Sequence, residues 1–428
     1  MEKTIVLIAF IIAYILLLLL PKFRAYIAVA VALLFLTLGI INQEAIDSLV
    51  LIQAVDWNVL MMIAGTMVVV VFFIESGAPA ALADFIINHV PSVKWAIIAL
   101  AFFAGVISAF VDNVATVLIV APIAIDISKR LKMSPVSIIV AITVSANLQG
   151  FATLVGDTTS IILGSTADMT FADFFWLEGK PGPFFVVQAG ALATVLVMMV
   201  LFRKYNQPMH LKEKVPVDDY VPSFFLVGII ALLITASFIP NKPTLTNGYI
   251  TIGMAVIAVI YDLIRHRSWR RVKNALTKID LNTLFLLMGL FVVIATLGEV
   301  GIIADIANLF VAIGGNSPFL MFSLAVWVSV LLSAFIDNIP YVATMLPVMA
   351  AIAPTMGVNP FLLYFGLLSG ATLGGNLTPI GASANIAGIG ILKKEGHEVK
   401  FWDFGRVAIP MTLAAVLTAY GLLWLLWS

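Results

Sequence analysis

The 428-residue chain contains no cysteine, which excludes disulfides, cysteine-bound zinc and thiol nucleophiles. Its four histidines, His89, His210, His266 and His397, are scattered without metal-ligand spacing. Charge is scarce as well. Only 11% of residues are Asp, Glu, Lys or Arg, against roughly a quarter in a soluble domain, and this excludes a soluble core. The net charge is zero, so no nucleic-acid partner is expected. No organic cofactor is expected either.

What the chain has in abundance is apolar sequence: 62% of residues are hydrophobic and the mean hydropathy is +1.11. A helix needs about 20 apolar residues to span a hydrocarbon core. Such runs fall near 4–20, 24–41 and 57–75, then 93–130 interrupted at Asp112-Asn113, 136–167 interrupted from Gly150 to Ser160, and 184–203. After a polar stretch the order repeats: 222–239, 248–264, 281–297, 318–353 interrupted at Asp337-Asn338, 360–392 interrupted from Gly374 to Ser383, and 407–427. The first run lacks a basic flank beyond Lys3 and an Ala-x-Ala cleavage site, so it reads as a retained helix rather than a signal peptide.

The repetition extends to single residues. Ser108-Ala-Phe-Val-Asp112-Asn113 recurs 225 positions on as Ser333-Ala-Phe-Ile-Asp337-Asn338, and the same offset pairs Gly150 with Gly375, Thr153 with Thr378 and Gly156 with Gly381. Upstream an offset of 224 pairs Asp56 with Asp280, Gly65 with Gly289, Glu75 with Glu299 and Gly77 with Gly301. Identity at Asp, Asn, Glu and Gly positions is not what chance agreement of apolar sequence produces. The chain is therefore divided into a first repeat at 1–205, a linker at 206–221 and a second repeat at 222–428.

Charge placement sets the expected orientation. If each interrupted Asp-Asn stretch enters and leaves on one side, each repeat crosses five times, and the second repeat is inverted. With the N-terminus outside, 19 of the 23 basic residues fall on inside loops: Lys22 and Arg24; Lys129, Arg130 and Lys132; Arg203, Lys204, Lys212 and Lys214; Arg265, Arg267, Arg270, Arg271, Lys273 and Lys278; and Lys393, Lys394, Lys400 and Arg406. The positive-inside rule then holds, with the linker inside. The expected fold class is an all-α integral membrane protein of two inverted-topology repeats. Each has five crossings, one re-entrant helical hairpin and one broken helix. Inverted repeats with broken helices are the mark of secondary transporters.

Two constellations carry chemistry. The first is the pair of hairpin tips, Ser108, Asp112, Asn113 and Thr116 with Ser333, Asp337, Asn338 and Thr344. An Asp at the centre of a membrane helix costs about 2.5–3.5 kcal/mol, so keeping one at the same place twice suggests a use. At such a tip free carbonyls and free N–H groups lie side by side. Asn113 and Asn338 are expected to cap the following helices, while the Asp and Ser oxygens hold sodium or a proton. The alternative is that Asp-Asn merely satisfies a turn. The second constellation is the pair of breaks. One runs through Asn147, Gly150, Thr153, Gly156, Asp157, Thr158 and Ser160. The other runs through Thr372, Gly375, Asn376, Thr378, Pro379, Gly381, Ser383 and Asn385. Hydroxyls and freed backbone dipoles there can face a cavity, the alternative being close packing of small residues. Glu75 and Glu299 sit at span ends and read as caps or interfacial groups. Asp126 with Lys129 and Arg130 reads as an interfacial ion pair, and the basic loop 265–278 as a topology determinant.

These motifs resemble the ion transporter superfamily. The Ser-Ala-Phe-x-Asp-Asn tips, Gly156-Asp157, and Gly375-Asn376-Leu-Thr378-Pro379-Ile-Gly381-Ala-Ser-Ala-Asn385 are similar to the arsenite permease and P-protein branch, also labelled citrate-transporter-like, over nearly the whole chain. The resemblance implies that two hairpins and two broken helices meet at a central site, that the chain is a homodimer in the lipid bilayer, and that it works by an elevator motion. It also implies ion binding at Ser108, Asp112, Asn113, Gly150, Ser333, Asp337, Asn338 and Gly375, with sodium at Asp112, Asn113, Asp337 and Asn338. Substrate contacts are expected at Asn147, Thr153, Asp157, Thr158, Asn376, Thr378, Pro379, Ser383 and Asn385. Two departures stand out: Asp-Asn tips where carboxylate symporters carry neutral pairs, and Gly-Asp-Thr-Thr-Ser where the P-protein pattern has Gly-Asp-Pro-Pro-Asn.

The expected function is secondary active transport of a small inorganic ion or anion, arsenite-like or antimonite-like, coupled to protons or sodium across a prokaryotic inner membrane. Sodium/proton antiport and citrate or dicarboxylate transport are the alternatives. An intramembrane aspartyl protease is the rival from another class, but it needs Gly-x-Gly-Asp, and Leu154-Val155-Gly156 precedes Asp157.

Overall fold

The computed structural model describes residues 2–41, 47–131, 133–208, 216–315 and 317–428. Lys132, His210, Lys212, Lys214 and the middle of the linker lie outside the described residues. Ten helices come first: α1 (Glu2–Leu19), α2 (Arg24–Ile41), α3 (Ser48–Gln53), α4 (Trp57–Glu75), α5 (Ala78–Asn88), α6 (Val93–Ser108), α7 (Asn113–Arg130), α8 (Val136–Gly150), α9 (Thr158–Thr166) and α10 (Pro183–Leu201). Ten more follow: α11 (Val221–Ser237), α12 (Thr246–His266), α13 (Trp269–Thr277), α14 (Leu281–Glu299), α15 (Ile302–Gly314), α16 (Pro318–Ser333), α17 (Asn338–Met356), α18 (Pro360–Gly374), α19 (Ser383–Lys394) and α20 (Phe401–Trp427). In order and character the second ten answer the first ten one for one. A two-residue hairpin, β1 (Trp176–Leu177) and β2 (Lys180–Pro181), precedes α10.

Every apolar run read from the sequence is a helix, or a helix pair where it is interrupted, within about two or three residues of its expected ends, except that the last begins six residues early, at Phe401. The short helices α3, α5, α13 and α15 were not expected. Two of them carried a signal. Gly77 and Gly301 each precede a helix in the left-handed region at φ 74°, a conformation glycine adopts without Cβ strain. Their pairing in the repeat marks the two helix starts, α5 and α15. The basic loop is also more structured than expected. It forms α13, where Arg271 reaches Asp262 at 3.2 Å and Asp218 at 3.7 Å. Lys278, just beyond, reaches Glu75 at 3.2 Å. Asp126 pairs with Arg130 at 2.8 Å as expected, whereas Lys129 turns instead to Glu395 at 2.6 Å.

Among the described residues seven helices are long and apolar enough to cross a bilayer: α2, α3 together with α4, α10, α12, α14, α17 and α20. Their outer faces are apolar and open, with Ile264 and Leu425 each more than 70% exposed, as lipid contact requires. The centre belongs to α8 and α18, in which nearly every side chain is buried. α6 packs along α8 as α16 packs along α18, α10 packs on α20, and α2 and α4 pack across the repeat on α14 and α12.

The cross-repeat packing is close enough to need glycine. A Cβ on Gly65 would stand 2.5 Å from the Thr251 carbonyl carbon, and one on Gly289 would stand 2.5 Å from that of Ala28. These are the close backbone approaches typical of membrane helix pairs. Gly65→Val and Gly289→Val should each lower stability by about 1–3 kcal/mol, read as a lower melting temperature in detergent. An unchanged melting curve for both would mean the helices do not meet this closely.

Candidate functional site

Each Asp-Asn tip is a four-residue turn between two helices. α6 ends at Ser108 and α7 begins at Asn113; α16 ends at Ser333 and α17 begins at Asn338. The expected capping roles are reversed. Asp112, not Asn113, caps α7, its Oδ1 accepting from the Val114 and Ala115 amides at 3.0 and 3.1 Å. Asp337 likewise accepts from the Ile339 amide at 3.1 Å. The reason is backbone geometry. A capping residue needs extended ψ, which Asp112 and Asp337 have at 140° and 139°, while each Asn is already the first helical residue. The Asn side chains turn back instead. Ser108 Oγ donates to Asn113 Oδ1 at 2.7 Å, and Ser333 donates to Asn338 in the same way.

The two breaks lock onto these tips. Thr153 donates its hydroxyl to the Ala109 carbonyl, and Thr378 donates to that of Ala334. Glycine makes the fit possible. A Cβ on Gly156 would lie 2.7, 3.0 and 3.1 Å from the carbonyl oxygens of Gly150, Ala109 and Ser108. One on Gly381 would lie 2.6, 2.7 and 2.9 Å from those of Gly375, Ala334 and Ser333. In each repeat, then, the carbonyls of two helix ends converge around a glycine, beside the Asn Oδ1 and Ser Oγ. Helix C-termini leave such carbonyls without helical partners; here those of Ala109 and Ala334 accept from Thr153 and Thr378 and those of Gly150 and Gly375 from Ser160 and Asn385, so each glycine sits in an oxygen-rich cradle.

Buried amides join the two breaks across the repeats. Asn147 Nδ2 donates to Asn376 Oδ1 at 2.7 Å and Asn385 Oδ1 at 3.2 Å. Asn385 Nδ2 in turn donates to the carbonyls of Gly375 and Thr378, both at 3.1 Å. Its counterpart Ser160 makes only the first of these bonds, to Gly150 at 3.0 Å.

A cavity of about 410 Å³ opens between α4, α14, the two tips and the starts of α9 and α19. Of the residues expected at the site, Asp112, Asn113, Asn147, Asp157, Thr158, Asp337, Asn338 and Ser383 line it. Ser108, Gly150, Thr153, Ser333, Gly375, Asn376, Thr378 and Asn385 are buried behind that lining. Pro379 sits half-buried in the second break, away from the cavity. Thr66, Lys278, Asp280 and Thr283 also line it. The signal for Thr66 and Thr283 was a hydroxyl inside an apolar span, and for Asp280 its pairing with Asp56. Asp280 caps α14, its Oδ1 accepting from the Thr283 amide at 3.2 Å and its Oδ2 from Thr283 Oγ1 at 2.6 Å. Among the described residues no three acidic or histidine side chains stand close enough to hold a metal ion together, so the four carboxylates are not one chelate.

Arg24 is the largest departure from expectation. Read from the sequence as a loop charge, it is the first residue of α2 and meets Asp337 Oδ2 at 2.7 Å. A buried acid without a partner is costly, and this guanidinium supplies one. Asn147→Ala should remove two bonds of the amide network and destabilise the protein by about 1–2 kcal/mol. Thermal unfolding in detergent reads this, and a melting temperature equal to that of the parent would refute the network.

The family profile described as CitMHS, citrate transporter, matches residues 14–370. An uncharacterised transporter of Mycobacterium tuberculosis H37Rv is 31% identical over 384 residues, 87% of this chain and 86% of the relative. A 46 kDa membrane protein of Mycobacterium leprae is 30% identical over 411 residues, 92% of each chain. The human P protein is 26% identical over 85% of this chain and 53% of its own length. In fold the chain is similar to the YdaH transporter of Alcanivorax borkumensis, with a TM-score of 0.61, 14% identity and coverage of 94% and 97% of the two chains. It is also similar to MtrF of Neisseria gonorrhoeae, with a TM-score of 0.56, 18% identity and coverage of 86% and 80%. The matched profile takes in both tips and the first break, and the relatives extend the match over most of the remainder: the chain belongs to the CitMHS citrate-transporter family and is a secondary transporter of small solutes in the lipid bilayer.

Proposed function

We propose that this chain couples movement of a small inorganic ion or anion, of the arsenite or antimonite kind, to protons or sodium across a bacterial plasma membrane. The observation that carries the reading is that the two Asp-Asn tips, far apart in sequence, face one cavity of about 410 Å³. The coupling ion is assigned to the oxygen cradles at Ser108, Asn113, Gly150 and Gly156 and at Ser333, Asn338, Gly375 and Gly381, with Asp112 and Asp337 setting the local field. The cargo lies in the cavity between them, against Asn147, Asp157, Thr158 and Ser383.

Charge bears on the cargo. Asp112, Asp157 and Asp280 line the cavity, Lys278 is tied to Glu75, and Arg24 is tied to Asp337. The surplus is negative, which opposes a multiply charged carboxylate entering alone and suits a neutral solute or one that enters with cations. Citrate or dicarboxylate transport is the second reading, supported by the family profile. Sodium/proton antiport without an organic cargo is supported by the same acidic surplus.

The paired helices support two inverted repeats of five crossings each, in which every tip is a re-entrant hairpin. The moving unit is assigned to α6–α9 with α16–α19, tied together by the Asn147 network, and the scaffold to α1–α4 with α11–α14. The motion is an elevator within a homodimer.

Two experiments test this reading. In proteoliposomes with an imposed sodium or proton gradient, Asp112→Asn should cut the uptake of labelled arsenite or citrate at least about tenfold, a loss equivalent to about 1.4 kcal/mol or more of coupling. Uptake equal to wild type would remove Asp112 from the mechanism. Orientation is read by single cysteines, which meet no background in a cysteine-free chain. In right-side-out vesicles an impermeant maleimide should label Lys180→Cys and leave Lys204→Cys unlabelled. Equal labelling of both would overturn the proposed topology.

A further inference from the structure

The two tips are built alike but partnered differently. Both oxygens of Asp337 are engaged. Oδ1 accepts from the Ile339 amide at 3.1 Å. Oδ2 accepts from Arg24 Nη1 at 2.7 Å and from Ser383 Oγ at 3.3 Å. Arg24 is itself anchored, its Nε donating to the Leu17 carbonyl at 3.2 Å, and the two side chains are only 18% and 11% exposed. A second bond reaches the same element from α1: the Tyr14 hydroxyl donates to the Pro340 carbonyl at 2.7 Å. At the first tip, Asp112 Oδ1 takes both capping amides. Among the described residues, Asp112 has no basic partner and its Oδ2 has no hydrogen bond. The sequence explains the difference. At an offset of 223 or 224, the residues at the start of α12 that answer Arg24 are Asn247 and Gly248, and neither carries a charge.

We infer that Arg24 is a positioning residue that latches the second tip to α1 and α2 by neutralising Asp337, leaving Asp112 as the tip carboxylate open to a coupling cation. The inference rests on the cation-coupled reading above and narrows it, from two carboxylate-assisted cation sites in the chain to one. A guanidinium 2.7 Å from Asp337 already neutralises the carboxylate that would otherwise favour a cation at the second tip. A competing ion would have to expel it and strand a buried positive charge, which is unfavourable in a low-dielectric setting. The first tip has no such occupant.

The test uses the full chain and four variants: Arg24→Gln, Asp337→Asn, the double Arg24→Gln/Asp337→Asn, and Asp112→Asn. Each single change at the pair leaves one buried charge alone, so each should melt several degrees below wild type. The double variant should melt above both singles. In proteoliposomes fed labelled arsenite or citrate, the double variant should recover at least about a third of wild-type gradient-driven uptake, and Arg24→Lys should fall between wild type and Arg24→Gln. Asp112→Asn should lose both the uptake and the rise in melting temperature on adding sodium.

A double variant no more stable or active than Asp337→Asn alone would overturn the latch and make Asp337 a direct cation ligand. Sodium-dependent stabilisation that persists in Asp112→Asn would overturn the assignment of the open site. Wild-type protein that takes up neither probe and does not respond to sodium would refute the coupling and with it the role of Asp112. The latch would still stand or fall on the melting cycle alone.

Discussion

Hydrocarbon offers no hydrogen bonds to a broken helix, and every freed backbone group inside the membrane must find its partner within the protein. This chain breaks its helices at four places near its centre, and its internal arrangement follows from satisfying those breaks. Asp112 and Asp337 cap the helices that restart after the tips. Thr153 and Thr378 take up tip carbonyls left by the helices that stop. The helices that restart after the breaks, α9 and α19, each pack against the tip helix of the opposite repeat, α17 and α7. The carbonyls of the helices that stop converge on Gly156 and Gly381. The same need that makes the breaks costly therefore produces the oxygen-rich cradles on which transport is proposed to depend.

Much of this was legible in the sequence because membrane helices leave a strong apolar signal and because the repeat wrote each feature twice. A single Ser-Ala-Phe-x-Asp-Asn in apolar sequence could be a turn; two at a fixed offset pointed to the tips, and the cavity lies between them. Gly156 and Gly381 were legible as a pair, although their purpose, room for three carbonyls, required the backbone. Less legible were roles that depend on one rotation of the chain. Sequence alone does not separate Asn from a neighbouring Asp as a cap, and only the ψ of Asp112 shows that the cap falls one residue earlier.

Arg24 was misread for a related reason. Charge counting treats a basic residue between two spans as a loop residue, and Arg24 has no counterpart in the second repeat to mark it as special. The repeat reveals what the two copies share and hides what only one of them has. Arg24, Asp157 and Asn385 all belong to that second class: their counterparts are Asn247 or Gly248, Ala382 and Ser160. Each lies at or beside the cavity. Other members of the amide network differ as well, Asn147 answering to Thr372 and Asn376 to Phe151.

The amide knot of Asn147, Asn376 and Asn385 has a consequence for alignment. α8 and α18 are almost wholly buried, and apolar stretches of packed helices tolerate a slide of one turn, about 5.4 Å. Hydrogen bonds that close only at one setting do not tolerate it. The knot therefore acts as a dowel between the two breaks: it fixes the depth at which they stand relative to each other.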